Sequence, residues 1–367
     1  MNVLIVTARF GLGHVSAAAA IAEQINENYD DVNITTIDMM EFRYPTIHRG
    51  IYKAFSIFAG TVPGVYEKMV RMDQHLSAMP FREKFTKADI IGELVERYKP
   101  DVIISTWLIA CKYIGAYKRK NRSSIPFITC VTDLGAYNEY ISEMTDAYLV
   151  ADDVTKAGFV AKGVEADRIY VSGIPVKQAF GKVLSKHDGK KKEVLIMGGG
   201  LGIISGADGL IENLGQREDV HATFITGTNR ELKDQLTEEA GDRFDNIEIL
   251  GYTDNVPYYM SRADVILTKA GGITLFESIQ AEVPMLVPAP FFAQEKANAD
   301  YIIRKGIGVV TDSASDDSQY EALTKMLDDE AGMKGMRNQM KHIKDHLRGN
   351  EISSIIYALT YAAEMEA

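Results

Sequence analysis

Short β-branched runs alternate with stretches of helical periodicity along most of the chain, the pattern of successive parallel β–α–β units. Val3–Thr7 predicts a first strand and Ser16–Asn28 the helix after it. Asn33–Asp38, Asp101–Thr106, Pro126–Thr132 and Ala147–Ala151 predict further strands, and the run SGIPV around Val171–Pro175 closes the set. A polar, Lys-rich stretch, Lys182–Lys192, follows, and the pattern restarts. Glu193–Met197 predicts a new first strand, continued by Thr223–Thr226, Ile247–Leu250, Val265–Thr268 and Met285–Val287. The expectation is an α/β protein of two Rossmann-like, doubly wound domains, residues 1–175 and 176–350, facing each other across a cleft. Residues 351–367 hold a last helical stretch, Ile352–Ala363, that could pack on either domain.

Composition narrows the class. With 46% hydrophobic and 25% charged residues in 367, the chain has the balance of a soluble globular protein. A net charge of −11 argues against a general nucleic-acid binder. Cys111 and Cys130 show no CxxC spacing and read as reduced core thiols, which points to the cytoplasm. MNVLIVTARF lacks a basic stretch before its apolar run, so it reads as a strand and not a signal peptide. No segment approaches the roughly 20 apolar residues that span a bilayer, so membrane association is expected to be peripheral.

Each half opens with a strand, a glycine-rich turn and a helix. The first turn is Gly11-Leu12-Gly13-His14, and the second runs from Gly198 through Gly199 and Gly200 to Gly202. Such turns let backbone N–H groups approach a phosphate at a helix N-terminus. They also serve simply as tight βα turns. Asp38 stands where a dinucleotide fold would place a ribose-binding acid, but Ser16 replaces the third glycine of GxGxxG, which disfavours a nicotinamide site.

The most informative stretch is Gly251–Asn298. Strand Val265–Thr268 leads into Ala270-Gly271-Gly272 and a helix near Thr274, so the amides of Gly272, Ile273 and Thr274 form an anion site suited to a diphosphate. Glu277 shares a helix face with Thr274 and could accept two hydrogen bonds from a ribose diol. Gln294, Glu295 and Asn298 offer the mixed donors and acceptors that sugar hydroxyls need. Taken singly, these residues also fit a solvated helix face or an ordinary helix start.

The ordered set GY-T-D-N, K-AGG-x-T-xx-E and Q-E-xx-N resembles the donor half of GT-B glycosyltransferases, in the branch shared by MurG and the monogalactosyldiacylglycerol synthase/processive diacylglycerol glucosyltransferase family. GLGHVSAAAAI, KPDVIISTW, VTD at Val131–Asp133 and SGIPV extend the resemblance over most of the chain. It implies that Tyr252 and Thr253 border the uracil, Gly271, Gly272 and Thr274 the diphosphate, Glu277 the ribose, and Gln294 and Glu295 the hexose. The turn AGGIT departs from the family's AGPGT, and the segment after Asp133 lacks the family's histidine and tryptophan.

On the acceptor side, His14 is the candidate base that takes the acceptor's proton, with Asp133 to orient it or the acceptor and Gly11 and Gly13 beside it. His14 could instead cap its helix or bind a phosphate. The chain has no Asp-x-Asp pair, so the departing UDP is expected to be stabilised by amides without a metal or other cofactor. Phe42–Ile90 carries eight Lys/Arg against four acids, with Arg49, Lys53, Phe55 and Phe58 near the start of a helical pattern. That mixture suits an anionic membrane surface, although an ordinary helix with a basic face has the same composition. The reading is an inverting glycosyltransferase that moves glucose or galactose from a UDP-hexose to diacylglycerol on the inner face of the cell membrane. A transferase with a polyprenyl-linked or natural-product acceptor, a non-catalytic UDP-sugar sensor and a UDP-sugar epimerase are the alternatives.

Overall fold

In a computed structural model of the chain, the strands form two six-stranded sheets in which every neighbouring pair is parallel. The structure describes residues 1–61, 89–182, 190–199, 202, 204, 206–290, 293–347 and 352–366, with the side chains of 12, 55–61, 208, 293, 294 and 362–366 left out. The chain divides into one unit of Met1–Lys177 with Leu347–Ala367 and a second of Gln178–His346.

In the first unit β1 (Asn2–Thr7) leads into α1 (Leu12–Asn28), and β2 (Asn33–Asp38) into α2 (Met39–Arg43) and α3 (His48–Thr61). Next come α4 (Ile90–Tyr98), β3 (Val102–Ser105), α5 (Leu108–Asn121), β4 (Phe127–Cys130), β5 (Ala147–Val150), α6 (Asp153–Ala161) and β6 (Ile169–Val171). The strand order is β2-β1-β3-β4-β5-β6, so the chain reverses direction across the sheet between β1 and β3. Successive strand residues feed opposite faces: Leu4, Val6 and Ile103 enter one core, Val3, Ile5 and Ile104 the other. The last helix, α14 (Ile352–Glu366), covers the second core with Ile352, Ile355 and Ile356, and its Ser353 carbonyl accepts from Tyr29 Oη at 2.8 Å.

The second unit runs β7 (Lys192–Met197), α7 (Ala207–Gly215), β8 (Val220–Ile225), α8 (Arg230–Ala240), β9 (Ile247–Leu250), α9 (Val256–Arg262) and β10 (Val265–Thr268). It continues with α10 (Gly272–Ala281), β11 (Met285–Val287), α11 (Ala293–Lys305), β12 (Gly308–Val310), α12 (Asp316–Asp328) and α13 (Glu330–Leu347). Here the order is β12-β11-β10-β7-β8-β9, and the reversal falls between β7 and β10.

Two local expectations change. Helix α1 starts at Leu12, a turn earlier than Ser16, because only Gly11 lies outside helical geometry (φ 95°). Consequently Gly13 and His14 stand in the first helical turn. Strand β12 is too short, and opens on a residue too typical of turns, to be read from alternation. Cys111 and Cys130 are buried free thiols feeding opposite cores; burial pushes Cys111 up to about 11 and Cys130 higher still.

One buried charge ties α5 to the sheet. Lys118 places its ammonium 2.6 Å from Asp146 Oδ2, which also accepts the Phe127 amide at 2.7 Å. Replacing Asp146 by Ala strands that cation and is expected to cost about 2–4 kcal/mol in urea unfolding. An unchanged midpoint would mean that Lys118 finds an equivalent partner in water.

Candidate active site

Both glycine turns sit at the reversals of their sheets, where the connections leaving adjacent strands diverge and open a crevice at the carboxyl edge. In the first unit the residues there come from β1, α1, β3 and β4. Gly11 caps α1 with a backbone (φ 95°, ψ 149°) that only glycine adopts readily, and the helix has neither a side-chain cap nor an acid in its first turn. The Thr106 hydroxyl pairs with that of Thr7 at 2.8 Å and donates to the His14 carbonyl at 2.9 Å, which pins the start of α1 to the ends of β1 and β3. The His14 ring is half-buried, and its Nδ1 lies 2.9 Å from Thr132 Oγ1. Burial lowers the His14 imidazole below its ordinary value, against the opposing pull of the Asp133 charge.

Asp133 is the candidate to orient His14 or the acceptor. No direct bond joins it to His14: Asp133 Oδ2 accepts from Tyr140 Oη at 2.9 Å, and Tyr140 Oη lies 3.2 Å from Thr132 Oγ1. The carboxylate therefore reaches the ring through two hydroxyls, one of them on a residue the sequence reading did not single out. Asp38, the candidate ribose acid, is already engaged. It caps α2 through the Met40 and Glu41 amides, accepts from Tyr52 Oη at 2.6 Å and lies 3.5 Å from Arg9 Nε. That arrangement gives Asp38 a structural role in holding α2 and α3 to the end of β2.

Aromatic rings border the same turn. Phe10 stacks on Trp107, the single tryptophan, with centroids 5.4 Å apart, and meets Tyr52 edge-on at 4.9 Å. Tyr52 also accepts the Arg9 amide at 3.0 Å, so α3 is fastened to the chain just before Gly11. Arg49 and Lys53 project from α3 into solvent. The side chains of Phe55 and Phe58, and the basic aromatic stretch 62–88, lie outside the described residues.

In the second unit the turn after β10 faces the turn after β7. Gly271 caps α10 with no side-chain bond and no acid follows in the first turn, which leaves the amides of Gly272, Ile273 and Thr274 for a ligand. Thr274 Oγ1 leans back over the turn, 3.7 Å from where a Cβ on Gly271 would stand. Glu277 follows, half-buried, on the same helix. Asn298 is buried and donates to the Ala270 carbonyl at 2.8 Å, bracing the turn from behind. Glu295, in the first turn of α11, lies 3.5 Å from Lys269 Nζ. Lys269 also passes over the other turn: a Cβ on Gly199 (φ 64°) would stand 3.4 Å from its Cε. Sequence reasoning quoted this lysine within its motif and gave it no role, yet it is the cation shared by both turns and Glu295.

Gly202 (φ 64°) packs so tightly that an added Cβ would run into the Thr226 carbonyl oxygen, and Asn229 Nδ2 holds the Gly202 carbonyl at 3.2 Å. Gly200 and the Gln294 side chain lie outside the described residues. Tyr252 is 60% exposed, with its hydroxyl on Asp254 at 2.8 Å, and Thr253 Oγ1 accepts the Asn255 amide at 3.1 Å at the start of α9.

The monogalactosyldiacylglycerol (MGDG) synthase family model matches residues 14–176, and the glycosyltransferase family 28 C-terminal domain matches residues 193–353. The chain is a glycosyltransferase with a GT-B fold, and its two units carry these two family domains. The transferase is 27% identical to the processive diacylglycerol beta-glucosyltransferase of Bacillus subtilis (strain 168), over 99% of this chain and 96% of that one. Its fold is similar to that of Acinetobacter baumannii MurG (TM-score 0.65, 16% identity, 98% and 99% covered). It is also similar to the UDP-GlcNAc 2-epimerase of Neisseria meningitidis bound to UDP-GlcNAc (TM-score 0.60, 13% identity, 100% of both chains).

The two turns of the second unit generate a binding prediction. Lys269→Ala removes a cation able to make a charge-assisted bond to a phosphate and is expected to weaken UDP roughly 10-fold by calorimetry. Gly202→Ala should weaken UDP as well and lower the melting temperature, because the Cβ displaces the β7 turn. Unchanged UDP affinity in both variants would move the donor away from this edge.

Proposed function

We propose that the transferase moves a hexose from a UDP-hexose to diacylglycerol, inverting the anomeric centre. What supports the reading most is the diacylglycerol-directed family match, which covers the unit holding His14, alongside relatives named for diacylglycerol glucosylation. The second unit supplies the donor pole. The Gly272–Thr274 amides and Lys269 take the diphosphate, Glu277 the ribose, Gln294 and Glu295 the hexose, and Tyr252 and Thr253 border the uracil. These roles extend the motif resemblance residue by residue.

The chemistry is a single displacement. The diacylglycerol hydroxyl gives its proton to His14 Nε2 as its oxygen bonds to the anomeric carbon, and the bond from that carbon to the β-phosphate oxygen breaks. The charge that develops on UDP meets amides and a lysine already in place, so its stabilisation needs no reorganisation. Gly11, Gly13 and the half-buried ring of Phe10, backed by the buried Trp107, form the acceptor side, an apolar border suited to a glycerolipid. Arg49 and Lys53, exposed on α3, supply the charge that draws the protein to anionic headgroups at the inner face of the membrane. Among the described residues no helix is long and apolar enough to cross a bilayer.

His14→Ala is expected to reduce UDP release with diacylglycerol and UDP-glucose or UDP-galactose by about 10²–10⁴-fold while UDP affinity stays the same. Undiminished turnover would remove His14 as the base. The pH profile carries a sign. Transfer requires the neutral ring, and the ring's pKa lies below the ordinary 6.5. The acid limb of kcat/KM is therefore expected below pH 6.5, with a level rate through neutrality.

A further inference from the structure

A base at Nε2 requires that the other ring nitrogen carry the proton, and free imidazole does not favour that form. We infer that Thr132 and Tyr140 are positioning residues that lock His14 as its Nδ1–H tautomer, relaying the charge of Asp133 through a one-directional chain of hydrogen bonds. This inference rests on the reading of His14 as the base and adds the device that prepares it.

The direction follows from counting protons. A carboxylate only accepts, so the bond between Tyr140 Oη and Asp133 Oδ2 (2.9 Å) uses the single hydroxyl proton of Tyr140. Tyr140 is fully buried, and burial together with the nearby carboxylate pushes its phenol well above the ordinary range, so it remains a donor. Its oxygen can then only accept from Thr132, 3.2 Å away, which uses the single hydroxyl proton of Thr132. Thr132 Oγ1 has only lone pairs left for His14 Nδ1 at 2.9 Å, so the nitrogen must donate. If Thr132 turned its proton to His14 instead, two oxygen lone pairs would face each other at 3.2 Å inside the protein. The buried Tyr140 oxygen would also lose its donor. The cost of such an unsatisfied group exceeds the small intrinsic preference between imidazole tautomers.

The chain also fixes the ring once it is charged. When Nε2 takes the acceptor's proton, the imidazolium keeps its Nδ1–H on Thr132, and the negative end of the relay remains on Asp133. The Thr106 bond to the His14 carbonyl holds the backbone of the same residue, so ring and main chain are each restrained by a threonine hydroxyl.

The test reads the tautomer directly. Long-range ¹H–¹⁵N correlation spectra of the full-length protein at neutral pH, with His14 assigned by its loss in His14→Gln, should show wild-type His14 with Nδ1 protonated and Nε2 bare. Thr132→Val and Tyr140→Phe should shift it to the Nε2–H form, while Thr132→Ser, which restores the hydroxyl, should retain the wild-type signature. In parallel kcat should fall roughly 10–100-fold in Thr132→Val with KM for the UDP-hexose unchanged, and recover in Thr132→Ser. An Nε2–H wild-type ring, or a ring unmoved by Thr132→Val, would overturn the relay. The spectra do not depend on turnover, so the relay can fail while His14→Ala still abolishes activity, and the base can fail while the tautomer is as described.

Discussion

The candidate site of each unit depends on where its parallel sheet reverses its winding. At that point two neighbouring strands end side by side, the connections that follow them diverge, and the crevice between receives loops from both. In the first unit the crevice after β1 and β3 receives His14 and Thr106; in the second, the crevice after β7 and β10 receives Gly199 and Lys269. The strands themselves are almost wholly buried on both faces, which makes these edges rigid.

Helix capping follows the same pattern in most of the molecule. Asp89, Asp152, Asn229 and Ser315 close the N-termini of α4, α6, α8 and α12 with their own side chains. The helices that follow the strands at the reversals have no such bond: α1, α7 and α10 begin at glycine and α5 at Trp107, and α9, after the edge strand β9, also lacks one. Capping a helix is worth about 1 kcal/mol. Leaving α1 and α10 uncapped forgoes that stability and keeps their amides available, which is the condition a diphosphate or a reacting hydroxyl requires.

The turn after β10 was legible in the sequence because it is local. A strand, two glycines, a threonine and a glutamate within about a dozen residues specify both the turn and the direction of its amides. The resemblance to the diacylglycerol glycosyltransferases was legible for the same reason, as runs of contiguous residues. What joins His14 to Thr132, 118 positions away, is the register of β1 against β3 and of β3 against β4, and no spacing in the chain announces it. For that reason Asp133 could be named as a partner of His14, but the route through Tyr140 could not. Lys269 was hidden differently: it sits inside the recognised motif, and only its approach to Gly199 and Glu295 gives it a task.

A single displacement, with one base and a donor held by its diphosphate, leaves its mark in the stereochemistry of the product. The glycolipid made from whichever of UDP-glucose or UDP-galactose turns over can be isolated and its anomeric proton coupling measured by NMR. Both donors carry an α linkage, so one in-line attack must give a β-glycoside with the large coupling of two axial protons. An α-glycoside would mean retention and would rule out a single displacement.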